Sequence, residues 1–116
     1  MSFKRVTTTG TYTVGDGAIT LSVAIGDAQI GGSVVIIEGE TVGRNQIDDL
    51  VLGSGPDLKG KSIKIKTTVA DVNDQSNRTS VTYKFSGGPN PLNTEVTSEV
   101  DNDGDSMVFN ARFNME

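Results

Sequence analysis

Hydrophobic and polar side chains alternate along most of the chain. Apolar residues occupy every second position in Ala18–Ile25, and the same pattern recurs in Ser62–Val72, Thr79–Phe85 and Ser106–Met115. Neighbouring side chains of an extended strand point to opposite faces, so this period of two is typical of strands with one buried face. The pattern predicts antiparallel strands, and no segment has the longer period of an amphipathic helix.

Weaker strand signals lie between these segments. The run Val34–Ile37 is continuously β-branched, which indicates a more buried strand. Clusters of glycine, asparagine and aspartate separate the segments and favour turns. We therefore predict an all-β chain, an antiparallel two-sheet β-sandwich (Ig-like or C2-like) with seven to nine strands and little or no helix. The further strand candidates are Phe3–Thr8, Thr11–Val14, Gln46–Leu52 and Glu95–Val100.

The size and composition of the chain limit its chemistry. A length of 116 residues suits one domain, and we expect residues 1–116 to form a single β-sandwich. The absence of cysteine excludes disulfides and thiolate metal sites, and the absence of histidine removes the commonest general base. No G-x-S-x-G motif occurs either. We therefore expect no catalytic residues and no enzyme activity.

Charge and hydropathy bear on partners and location. Fifteen acidic and ten basic residues give a net charge of −5, which disfavours nonspecific binding to nucleic-acid phosphate. No apolar run approaches the ~20 residues that a transmembrane helix needs. The N-terminal MSFKRVTTTG lacks the apolar region of a signal peptide. We expect cytoplasmic synthesis without a Sec signal peptide, no transmembrane segment and no nucleic-acid partner, and the final location stays open.

The stretch Gly55–Ser62, GPDLKGKS, matches the P-loop pattern G-x-x-x-x-G-K-[ST]. A P-loop needs a helix after its lysine, because the amides at the start of that helix face the phosphates. The residues that follow Lys61 are β-branched with a period of two, which favours a strand. We therefore interpret Ser54–Gly60 as a glycine-rich loop between two strands and expect no nucleotide ligand.

The segment Val100–Ser106, VDNDGDS, has the strongest local chemistry. Asp101, Asp103 and Asp105 offer oxygen donors two residues apart, which suits Ca²⁺. The segment resembles the first half of an EF-hand loop, but the second half of that pattern is missing. The alternative is a hairpin turn, because the Asp-Gly pair at 103–104 favours one.

Counting the connections between successive strands places further acidic residues near this segment. If successive strands alternate in direction, every second connection lies at the same end of the sandwich. That end would resemble, in outline, C2-type domains, which bind calcium through loops at one end. The alternative is that acidic loops only keep this end soluble. The eight carboxylates placed together are Asp16, Glu38, Glu40, Asp71, Asp74, Asp101, Asp103 and Asp105, and the candidate metal ligands are Asp101, Asp103, Asp105, Asp71 and Asp74.

Three lysines form a candidate interaction site. Lys64, Lys66 and Lys84 fall on outward positions of their predicted strands. If the strands at 62–72 and 79–86 pair, the lysines form a basic stripe that docks an acidic partner or the acidic end of a second copy. The alternative is a solvated face that discourages aggregation between sheet edges.

These observations favour a non-catalytic role. We predict a structural or protein-interaction module that works with a protein partner or by self-association, as a subunit of a homo-oligomer or larger assembly. The alternative is a calcium-dependent binding module that uses the acidic loops at one end. We expect no cofactor, and the alternative is Ca²⁺ bound by the acidic loops.

Overall fold

Strands make up almost all of the described chain. The computed structural model describes residues 3–26, 29–70, 78–99 and 106–116. The elements in chain order are β1 (Phe3–Tyr12), β2 (Ala18–Ile25), β3 (Ile30–Ile37), β4 (Glu40–Asn45), β5 (Ile47–Ser54), α1 (Gly55–Leu58), β6 (Ser62–Ala70), β7 (Arg78–Ser86), β8 (Leu92–Glu99) and β9 (Ser106–Met115).

The strands form two sheets that pack face to face. One sheet has the order β1-β9-β6-β3-β4 and the other has the order β5-β2-β7-β8. This confirms the predicted all-β, two-sheet sandwich, and the nine strands of the described residues agree with the predicted seven to nine. One pair departs from the antiparallel expectation, because β1 runs parallel to β9. Parallel neighbours need a long connection, and here most of the chain lies between the two strands.

The core lies between the two sheets and is built from the alternating positions. On β6, Ile63, Ile65 and Val69 are at most 1% exposed, while Lys64 and Lys66 between them are exposed. An aromatic cluster fills the centre of the sandwich. Its members are Tyr12, Tyr83, Phe85 and Phe113.

Strand β4 was not predicted, and it changes the count of connections. Ile37, at the end of β3, is opposite Ile63, whereas Ile30 is opposite Ala70. The turn between β3 and β4 therefore lies at the end of the sandwich away from Ala70. Because the predicted count left out one strand, it assigned every earlier connection to the wrong end.

The predicted group of eight carboxylates at one end is therefore wrong. Glu38 and Glu40 border the turn between β3 and β4, at the end away from Ala70. The loop that contains Asp16 lies at that same end, because the amide of Gly55 donates to the carbonyl of Gly17 at 2.9 Å. These three acids therefore share an end with the α1 segment.

The hydroxyl group of Tyr83 is an unusual feature of the core. Tyr83 is 0% exposed, and among the described side chains its hydroxyl is buried without a hydrogen-bond partner of good geometry. The neighbouring Thr67 hydroxyl already bonds the Ser33 hydroxyl at 2.8 Å. Burial raises the pKa of Tyr83 from 10.0 to about 12, and the proximity of Thr67 offsets this rise only in part.

We expect Tyr83→Phe to increase the free energy of unfolding by up to about 1 kcal/mol at neutral pH, because it removes an unpaired buried hydroxyl. The unfolded chain releases the tyrosine proton near pH 10, before the folded chain does at about 12. The native chain therefore has its full free energy of unfolding below pH 10 and loses part of it as the pH rises from 10 to 12. The advantage of the variant should grow by about 2 kcal/mol at pH 12.

Urea unfolding at pH 7 and at alkaline pH measures both effects. Tyr12→Phe is the matched control, because the Tyr12 hydroxyl accepts a hydrogen bond of 2.8 Å from the Gly88 amide. That variant should lose about 1 kcal/mol at pH 7. A loss of similar size in Tyr83→Phe would mean that its hydroxyl has a partner in solution.

Candidate functional site

Four cationic side chains gather on the outer face of the five-stranded sheet. Lys64 of β6 lies directly opposite Arg112 of β9. Lys66 lies opposite Val34 of β3, which in turn lies opposite Arg44 of β4. Directly opposite residues share a face of a sheet, so these side chains project from the same side. We call Lys64, Lys66, Arg112 and Arg44 the cationic face.

No carboxylate lies among the described outward positions of this sheet. The described range also contains no ion pair for any member of the cationic face. Arg5 of β1 occupies a further outward position on the same side, because it lies opposite Val108. Among the outward positions whose side chains the structure describes, the others are Thr7, Thr9, Thr11, Ile30, Gly32, Val34, Ile36, Thr41, Ser62, Thr68, Ala70, Ser106, Val108, Asn110 and Asn114.

The charge arrangement does not serve the stability of the sheet. Like charges directly opposite one another destabilise a strand pair by roughly 0.2–1 kcal/mol. Lys64 and Arg112 form such a pair between β6 and β9, which are neighbouring interior strands of the five-stranded sheet. An acid at either position would be better for folding, so the pair favours a role in binding anions.

Hydrogen bonds along the sheet hold the guanidinium of Arg112. Its Nε and Nη2 atoms donate to Ser62 Oγ at 3.4 and 3.3 Å, and Ser62 Oγ donates to Asn114 Oδ1 at 2.7 Å. This network directs the side chain across the face. Its remaining N–H groups stay available to a carboxylate.

A shallow depression with an apolar floor lies between the cations. Its volume is about 330 Å³. The outward side chain of Ile36 contributes to the floor, and Lys64 and Lys66 contribute to the walls. Lysine stems often cover apolar surface in this way while the ammonium group stays in water. The site can therefore bind a group that is acidic at its tip and apolar along its side.

The predicted stripe of three lysines is not formed. Strands β6 and β7 belong to different sheets, so the condition for the stripe is not met. Lys84 lies on the outer face of the four-stranded sheet, opposite Ser22 of β2. Lys64 and Lys66 do lie together, and their predicted role in an interaction stays a prediction.

Sequence reasoning missed Arg112 and Arg44. Arg112 was recoverable, since it falls between the apolar residues Ala111 and Phe113 in an alternating strand and must point outward. Arg44 was not, because it lies on β4, which the sequence pattern does not reveal.

The predicted metal ligands Asp101, Asp103, Asp105, Asp71 and Asp74 lie outside the described residues. Within the described ranges, no three acidic side chains are close enough to share a metal ion. The predicted calcium site therefore stays a prediction.

The segment that matches the P-loop pattern crosses from one sheet to the other. It contains the single helical turn α1, which the sequence did not predict, and Ser54 Oγ caps this turn by accepting from the Asp57 amide at 3.3 Å. Strand β6 begins at Ser62, directly after Lys61. A strand therefore follows the lysine, as predicted, where a P-loop has a helix.

The fold and the cationic face together define a β-sandwich protein with one strongly charged sheet face. In the part of the chain that the structure describes, no helix is long and apolar enough to span a membrane. Comparison with protein-family models, with curated proteins and with solved structures found no match.

Proposed function

We propose that the chain is a non-catalytic protein-interaction module whose cationic face docks an acidic surface of another protein. The observation that supports this most is the gathering of Lys64, Lys66, Arg112 and Arg44 on one face, with no carboxylate among its described outward positions. Such a face attracts an oppositely charged partner and selects against a cationic one.

An acidic protein suits this face better than a nucleic acid does. The net charge of −5 disfavours nonspecific binding along a nucleic-acid backbone. The apolar floor at Ile36 matches the mixed acidic and apolar character of a protein surface.

The polar groups of the face do not form a catalytic pair. The Ser62 hydroxyl bonds Asn114 and Arg112, and neither side chain is a general base. Nucleophilic catalysis needs such a base beside the nucleophile. The arrangement therefore supports binding rather than bond cleavage.

Affinity at this face should depend strongly on salt. Exposed ion pairs contribute roughly 0.2–1 kcal/mol each, so several must act together and the apolar floor must add its share. At physiological ionic strength, charges more than about 8 Å apart are largely screened.

We expect Lys64→Gln/Lys66→Gln to bind an acidic polypeptide about tenfold more weakly than the native chain, which corresponds to about 1.4 kcal/mol. Labelled poly-L-glutamate is a suitable probe, and fluorescence anisotropy at low and high salt measures its dissociation constant. The matched control is Lys59→Gln/Lys84→Gln, which removes the same charge from exposed positions outside the cationic face.

The control should bind poly-L-glutamate nearly as tightly as the native chain. Equal losses in the two double variants would reduce the effect to net charge and contradict the proposal. So would tighter binding to a single-stranded oligodeoxynucleotide than to poly-L-glutamate, because that result would assign the face to nucleic acid.

A further inference from the structure

The four edge strands of the sandwich differ in regularity. The pairing of β4 with β3 shifts register once, and the pairing of β5 with β2 shifts twice. By contrast, β1 pairs with β9 without interruption from Phe3 to Tyr12, and β8 pairs with β7 without interruption from Leu92 to Glu99. A long regular edge presents unpaired backbone groups to another strand, whereas register shifts blunt an edge.

The two regular edges lie on the same side of the sandwich and run in opposite directions. Strands β1 and β8 contact one another. The hydroxyl of Tyr12, at the end of β1, bonds Gly88, and the ring of Tyr12 stacks on Phe85 with centroids 5.3 Å apart. Phe85 is opposite Leu92, where β8 begins. The two edges therefore span the same height, and β1 ends at the level at which β8 starts.

Apolar side chains between these edges are only partly covered. Val6 of β1 and Leu92 and Val96 of β8 pack against the core but are intermediate in exposure. They form the margin of the hydrophobic core on this side. A partner that continued both sheets would cover them.

The two edges also carry complementary charge on their outer faces. From residue 5 onward, the outward positions of β1 are Arg5 and three threonines, and they adjoin the cationic face. On β8 the outward positions include Glu95, whose side chain is 57% exposed and lies 3.9 Å from Arg78. The β1 edge therefore pairs more favourably with a β8 edge than with a second β1 edge.

We propose that the chain forms a symmetric dimer in which β1 of each subunit pairs with β8 of the partner subunit. A two-fold axis parallel to the strands brings the two open sides together and places each β1 antiparallel to the β8 that it meets. Each five-stranded sheet then joins a four-stranded sheet of the partner subunit. The symmetry uses the same surface on both subunits, as an isologous interface requires. This inference goes beyond the proposed function and does not depend on it.

Sedimentation equilibrium and engineered crosslinks test the dimer. The native chain should have twice its mass of 12.2 kDa at high concentration. Because the chain has no cysteine, single introduced cysteines report contacts cleanly. Thr7→Cys protein mixed with Glu95→Cys or Thr97→Cys protein should give a disulfide-linked dimer on mild oxidation. Each of these proteins carries a single cysteine, so a disulfide between them must join two subunits.

The control mixes Thr7→Cys protein with Val51→Cys protein, since Val51 lies exposed on the irregular β5 edge of the same sheet as β8. This mixture should give no more crosslink than the two proteins give alone. A monomer at every concentration, or a crosslink with Val51→Cys as efficient as with Thr97→Cys, would overturn the proposal. So would a crosslink in Thr7→Cys alone that exceeds the mixed one, because it would mean that β1 pairs with β1.

Discussion

Phe113→Ala is expected to lower the free energy of unfolding by about 3–5 kcal/mol, which is a large part of the stability of a domain of this size. The Phe113 ring is 1% exposed, and its centroid lies 4.9 Å from that of Phe85 and 5.5 Å from that of Tyr83. Truncation leaves a cavity in the core between the two sheets. Urea unfolding followed by circular dichroism measures the loss.

Two controls separate the cavity from the loss of apolar surface as such. Phe113→Leu refills most of the volume and should cost clearly less than the alanine variant. Val51→Ala removes apolar atoms from a side chain that is 60% exposed, and it should change stability by no more than about 0.5 kcal/mol. If Phe113→Ala cost no more than Val51→Ala, Phe113 would not lie in the core.

The strands that the sequence predicted well are those with one buried face. In β6, and in β9 from Phe109 onward, buried side chains alternate with more exposed ones, so the period of two is strong. Strand β4 has no such signal, because five of its six residues are exposed and only Gly43 is partly covered. An edge strand that is exposed on both sides leaves no hydrophobic pattern to read.

The helical turn α1 was missed for a different reason. Four residues are too few to show a helical period, and the turn depends on the Ser54 cap and on Pro56 near its start. The prediction of a loop between two strands was right at the level of the chain path. Only the local conformation of the crossing differed.

The cationic face could be predicted from the sequence only in part. Local alternation correctly places Lys64 and Lys66 on the outside, but it does not reveal which strands lie beside β6. The neighbours are β3 and β9, both distant in sequence, whereas β7, the next strand, lies in the other sheet. The partners Arg112 and Arg44 follow from these non-local pairings, so only the structure joins them to the two lysines.

The second large effect concerns a glycine at which backbone geometry and packing both exclude a side chain. Gly87 follows β7 with a φ of +106°, and a Cβ at this position would overlap the carbonyl oxygen of Ala18 in the backbone of β2. We expect Gly87→Ala to lower the free energy of unfolding by about 2–4 kcal/mol, through a strained backbone and a forced displacement of β2. Thermal or urea unfolding measures the change.

Two other glycines separate these causes. Gly39 also has a positive φ, +84°, but a Cβ there meets no atom within 4 Å, so Gly39→Ala should lose only the conformational part, about 1 kcal/mol. Gly17 has open space and no positive φ, and Gly17→Ala should change stability by about 0.5 kcal/mol or less. The expected order of losses is Gly87, then Gly39, then Gly17. If Gly87→Ala and Gly39→Ala were equally costly, the close approach of Gly87 to β2 would not matter, and the loop after β7 would be free to move away from the sheet.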